Sequence, residues 1–135
     1  MCFKWFKKRK VEATRLSQEE LKWNKMMKMW ADGSLESPYA ELLEYMNGVN
    51  DGGHYMHFDN VVANGDLKQY VDNVAQILPD KLRKNIKKAY DAYIENPDDM
   101  SDENNAVLDE CDKVYYDNEE AITLILKTRA TQIEL

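Results

Sequence analysis

Apolar residues recur three and four positions apart along almost the whole chain, a spacing that predicts amphipathic helices. "SQEELKWNKMMKMW" opens with Ser17 and Glu20 in capping-box spacing and places Trp23, Met26, Met27 and Trp30 on one face. "ADGS" ends it. "SPYAELLEYMNGV" follows, with Ser37 as cap, Pro38 at the first helical position and an apolar face of Tyr39, Leu42, Leu43, Met46 and Val49. After "ANG", the run "DLKQYVDNVAQIL" aligns Leu67, Tyr70, Val71, Val74, Ile77 and Leu78, until Pro79 forces a new start. "PDKLRKNIKKAYDAYIEN" then packs through Leu82, Ile86, Ala89, Tyr90, Tyr93 and Ile94 and leaves Lys81, Lys84, Lys87 and Lys88 as a solvated face.

Between Asn96 and Asn105, "NPDDMSDENN" reads as a loop, because its proline and its Asp and Asn residues favour local side-chain bonds over helix. "AVLDECDKVYY" resumes with Val107, Leu108, Cys111, Val114 and Tyr115 on one face, and "NEEAITLILKTRATQI" begins at Asn118 with acidic residues in its first turn. "ITLIL" alone would suit a buried strand, but no second strand-like segment exists to pair with it. The expected fold is therefore all-α, a single compact domain of about six amphipathic helices over residues 16–135, preceded by a basic and aromatic tail over residues 1–15.

Length agrees with one domain, since 135 residues, 44% of them hydrophobic, suffice for one core. Charge changes the picture more. The net −7 hides a tail with six basic groups against Glu12, a net +5, so the remainder carries −12. From Ala89 onward thirteen acidic residues face three basic ones, which disfavours direct nucleic-acid binding. The two cysteines, Cys2 and Cys111, stand near opposite ends, so a disulfide framework is not expected and a reducing cytoplasm suits the chain. Neither a signal peptide nor a spanning segment is evident. In the tail, Phe3, Trp5 and Phe6 interleave with Lys7, Lys8 and other basic residues, a pattern that suits weak contact with an anionic membrane surface, peripheral at the inner face; the ordinary alternative is a solubilising extension.

Candidate chemistry is sparse. The stretch "NDGGHYMHFDN" gathers both histidines of the chain with two glycines, and Asp51, His54, His57 and Asp59 could in principle form the centre of a metal-dependent enzyme. The expected reading is instead that no metal and no cofactor is held, because a His pair three apart without a nearby thiolate or a helical His-Glu motif is a weak ligand set. Asp99, Ser101, Glu103 and Glu110 occupy positions 1, 3, 5 and 12 of a calcium loop, but Asn104 stands where glycine is needed. No nucleophile elbow or activated cysteine context is present, so no enzyme activity is expected. Methionines and tryptophans at helical spacing read as core.

"NDGGHYMHFDN", followed by "NGDL…YVDNVAQIL" and later by "LDECDKVYYDNEEAITLIL", resembles the DNA-mimic-protein family, small bacterial helical proteins long labelled a domain of unknown function. That family carries an Asn-x-Gly-Gly-Phe-x-Gln-Phe-Phe-x-Asn-type motif, a helix pair, and an Asp-x-x-Tyr-Tyr element before the last helix. Gly52, Gly53, Phe58 and Asn60 match the first motif; Asp112, Tyr115 and Tyr116 match the second. His54 replaces the family's Phe, Met56 its Gln, and His57 the first aromatic of its pair. The similarity spans roughly residues 38 to 130. It implies that the glycine pair turns the backbone between helices, that His54, His57 and Phe58 pack beneath it, and that Asn60 caps or bridges neighbouring backbone. For function it implies a non-enzymatic acidic module, dimeric, whose carboxylates imitate duplex DNA and occupy the basic site of a DNA-binding protein. The carboxylates available for that role are Asp98, Asp99, Asp102, Glu103, Asp109, Glu110, Asp112, Glu119 and Glu120, which gather on one side if the two C-terminal helices pack together. An immunity or antitoxin-like protein that neutralises a toxin is the alternative.

Overall fold

A computed structural model describes residues 18–135. Ser17 and the basic, aromatic tail, with Phe3, Trp5, Phe6, Lys7 and Lys8, lie outside the described residues, as does the domain boundary expected at residue 16. What is described is all-α, without strands. Helix α1 covers 18–31, followed by α2 (Tyr39–Asn64), α3 (Leu67–Ala75), α4 (Asp80–Glu95), α5 (Asp102–Asp117) and α6 (Glu119–Thr131). No helix among these residues is long and apolar enough to cross a membrane.

Local chemistry explains most boundaries. Helix α1 stops at Gly33, whose φ of 76° only glycine adopts freely, while Ser34 N–H bonds the Met29 carbonyl and Gly33 N–H that of Trp30. Asp66 caps α3 by accepting from the Gln69 amide at 3.2 Å, and Ser101 caps α5 by accepting from the Asn104 amide at 3.1 Å. With Asp102 and Glu103 complementing its first turn, α5 takes in the last four residues of the segment expected to be loop. Positions 4 to 12 of the candidate calcium loop are thereby helical, and that loop does not exist. Ser37 does not cap α2; its hydroxyl donates to Glu41 Oε1 at 2.5 Å.

Two compact units emerge from the contacts. In the first, formed by 18–35 and 125–135 among the described residues, Met26, Leu126, Ala130 and Ile133 are buried, and Lys22 Nζ donates to the Thr131 carbonyl at 3.1 Å. The second, Glu36–Leu124, packs α4 against α5 and α3, and α2 against α3, α5 and α4. Its core is Leu42, Leu43, Tyr45, Val49, Phe58, Leu82, Ile86, Leu108 and Tyr115. The main packing partner of α5 is thus α4, not α6 as expected, because the Leu108, Cys111 and Tyr115 stripe faces the Leu82, Ile86 and Ala89 stripe of α4 and the buried face of α2.

The quoted glycine pair is the main surprise of the fold. The helix runs through it from Tyr39 to Asn64 and breaks only at Gly53, whose φ of 79° and ψ of 178° interrupt the spiral. The expected turn between two helices is a kink within one. Asn60 lies mid-helix and exposed, and its carbonyl accepts from the Asn64 side chain at 2.9 Å, so it caps nothing.

Candidate functional site

The kink leaves one amide of α2 without a helical acceptor, as any helix start does. That amide is His54 N–H, and it donates to Asp112 Oδ1 of α5 at 2.9 Å. A carboxylate 58 residues away in sequence therefore caps the second half of α2. The same oxygen lies 2.6 Å from His54 Nδ1. Since Asp112 accepts, Nδ1 donates, and in a neutral ring Nε2 is then the acceptor for the Tyr45 hydroxyl at 2.6 Å. Tyr45, His54 and Asp112 form a chain of donors and acceptors that runs from a fully buried phenol to a carboxylate 26% exposed.

Gly53 is required for this geometry twice over. Its backbone needs the left-handed region, and a Cβ there would stand 2.5 Å from Asp112 Oδ2. The Tyr115 ring meets Tyr45 edge-on at 5.5 Å and also packs on His54, while its hydroxyl donates to the Met46 carbonyl at 3.2 Å. Tyr116 donates to the Val49 carbonyl at 3.0 Å. So Asp112, Tyr115 and Tyr116 all contact the segment on and just before Gly52, Gly53 and His54. The two sequence motifs are halves of one site.

His57 belongs to a parallel chain. Tyr70 donates its proton to the Glu41 carbonyl at 3.0 Å, so the 2.7 Å contact between His57 Nε2 and Tyr70 is one in which the imidazole donates. That leaves Nδ1 unprotonated, against Gly48, where a Cβ would come within 1.9 Å. Burial, with His54 as a secondary cause, lowers the His57 pKa from 6.5 to about 4. Burial likewise raises Tyr45, Tyr70 and Tyr115 well above the ordinary phenol range and pushes the Cys111 thiol up to about 11. Phe58 is buried between His54 and Tyr93, as expected.

The candidate metal cluster does not assemble. Asp51 and Asp59 are exposed, Asp59 accepts from the Tyr93 hydroxyl, and both nitrogens of His54 are engaged within the protein. Among the described residues no group of three or more His, Cys, Asp or Glu side chains could hold a metal ion. The nine carboxylates expected to face a partner divide. Asp98, Asp99, Asp102, Glu103, Asp109, Glu110 and Glu120 are exposed, and none pairs with a described lysine or arginine. Asp112 instead serves His54, and Glu119 is half-buried and accepts from Asn50 Nδ2 at 2.9 Å.

No protein-family model, curated protein or solved structure matches this chain. The site therefore stands on its own geometry. Tyr70 was read from the sequence only as part of an apolar face, and three members were not picked out at all: Tyr45, Gly48 and Asn85, whose side chain donates to the Cys111 carbonyl at 2.8 Å. Signals existed for two. Tyr45 stands three after Leu42 and four before Val49, within one helical stripe, and a glycine inside a helical pattern often marks a close approach, as Gly48 does to His57.

Proposed function

We propose that the protein is a non-enzymatic acidic binding module that engages the basic site of a protein partner, in the manner of a DNA mimic, as its resemblance to that family implies. The observation that carries this reading is the division of polar groups. His54, His57, Asp112 and the Tyr45 and Tyr70 hydroxyls are turned inward and satisfied by one another, so little reactive chemistry faces solvent. Asp98, Asp99, Asp102, Glu103, Asp109 and Glu110, by contrast, are exposed, and no described lysine or arginine forms an ion pair with them. Uncompensated carboxylates of that density attract a basic surface and speed its encounter, and the attraction weakens as salt shortens its reach to about 8 Å.

The test is capture of partners with the intact protein and with a variant in which Asp98, Asp99, Asp102 and Glu103 are changed to Lys. The reading expects a DNA-binding protein that is displaced by duplex DNA and by salt, and that the variant fails to retain. Surface changes of this kind typically cost about 0.5 kcal/mol or less each, so helicity should persist. Capture by the variant at unchanged salt sensitivity would sink the proposal. Sedimentation of the free protein tests the dimer that the resemblance adds, and a toxin as the captured protein would transfer the reading to the immunity class.

A further inference from the structure

Tyr45 differs from its aromatic neighbours in what holds its hydroxyl. Tyr115, Tyr116 and Tyr55 donate to main-chain carbonyls, which are poor bases. Tyr45 donates to an imidazole that is itself backed by a carboxylate. Its ring also begins a continuous path to the surface. Tyr45 and Tyr115 have centroids 5.5 Å apart, Tyr115 and Tyr116 are 5.4 Å apart, and Tyr116 is 48% exposed. A route for an electron thus leads out through two tyrosines, while a route for a proton leads through His54 to Asp112.

From this geometry we propose that Tyr45 is a redox-active tyrosine, oxidised reversibly by a one-electron oxidant, such as a high-potential metal complex or an oxidising radical, that reacts at Tyr116. Withdrawing an electron from a phenol makes its O–H strongly acidic, and a radical cation left in an apolar core would be costly. Here the electron passes by way of Tyr115 and Tyr116 to the oxidant, the Tyr45 O–H bond breaks, and the proton forms a bond with His54 Nε2. The products are a neutral phenoxyl and an imidazolium. The site gains one positive charge, which rests on His54 against Asp112, the arrangement by which a carboxylate stabilises imidazolium in hydrolytic triads. Reduction returns the electron to Tyr45 and the proton from Nε2 to its oxygen. This inference does not depend on the acidic surface.

Photogenerated tris(bipyridyl)ruthenium(III) is a suitable oxidant, with the radical followed by transient absorption and electron paramagnetic resonance. The intact protein should yield a long-lived neutral phenoxyl whose formation slows in deuterated water. Tyr45→Phe keeps the ring and removes the hydroxyl, and it should abolish that signal. Tyr115→Phe should delay the signal without changing its final spectrum. Tyr93→Phe, which removes the other phenol bonded to a side-chain base, should leave it intact. A phenoxyl that survives Tyr45→Phe, one that disappears with Tyr93→Phe, a stable radical on tryptophan, or the lack of an isotope effect in the intact protein would each overturn the proposal. The last outcome needs no variant to fold.

Discussion

Acidification should unfold this protein chiefly through His57. Its imidazole is 6% exposed, bounded by the rings of Tyr45, Phe58 and Tyr70 and by Gly48, with His54 as the nearest titratable neighbour of the same sign. A second proton would go to Nδ1, which lies against Gly48 in this largely desolvated setting. The folded pKa is accordingly depressed from 6.5 to about 4. The depressed value means that the unfolded chain binds this proton first, so the contribution to stability is complete above about pH 6.5 and is lost as pH falls towards 4. The full shift is worth about 3 kcal/mol, of which about 2 kcal/mol is gone by about pH 5. Glu44 acts in the opposite sense, because burial and the Glu41 charge raise its pKa and make its ionisation unfavourable to folding near neutrality. Urea unfolding between about pH 7.5 and pH 4.5, compared for the intact protein and His57→Gln, separates the two. The variant is expected to be less stable at pH 7 yet to lose less stability on acidification. Parallel curves for the two proteins would refute the argument.

Two further substitutions and one labelling experiment follow from the same geometry. Gly53→Ala forces an L residue to a φ of +79° and sets its Cβ 2.5 Å from Asp112 Oδ2, so the urea midpoint should fall by the equivalent of about 2 kcal/mol or more. Gly65→Ala, where no atom lies within 4 Å and the backbone is extended, should change stability by less than about 0.5 kcal/mol. Cys111 is 1% exposed and its thiol is pushed up to about 11, so in a Cys2→Ser protein a thiol reagent should label it only as fast as the structure opens, accelerating with added urea. Prompt labelling of the native state would contradict its burial.

The helices were legible because period and punctuation agree in them. Gly33 stands at a real stop and Pro79 at a real restart, whereas the caps Asp66 and Ser101 were not read as such, Ser101 lying in the segment expected to be loop. Legibility failed where a tertiary contact overrides a local signal. "NGVNDGGHYMH" carries three glycines, which ordinarily mark a turn, yet the chain stays helical. Asp112 supplies an acceptor at the one broken position, and the buried His57 and Phe58 pin the second half of the helix in place. Nothing within the segment announces that partner, since the acceptor arrives from a helix far along the chain.

The acidic third shows how much finer a reading the pattern would have allowed. Its carboxylates were taken together because they share a sign, but on a helix the phase decides which of them meets solvent. The buried stripe of α5 is Leu108, Cys111 and Tyr115. Asp112 stands four residues after the first of these and three before the last, so it lies at the edge of that stripe and is presented to the core. Asp109 and Glu110 fall on the remaining arc and are exposed. A carboxylate inside an apolar stripe demands a buried donor, because leaving it unpaired would cost far more than the stripe gains. The chain contains only two histidines, His54 and His57, and one of them stands beside the glycine that breaks its helix and frees an amide. Asp112 satisfies both of those donors with one oxygen. The residue that looks like one more acidic group on the surface helps to hold α2 to α5, beside the hydroxyls of Tyr115 and Tyr116.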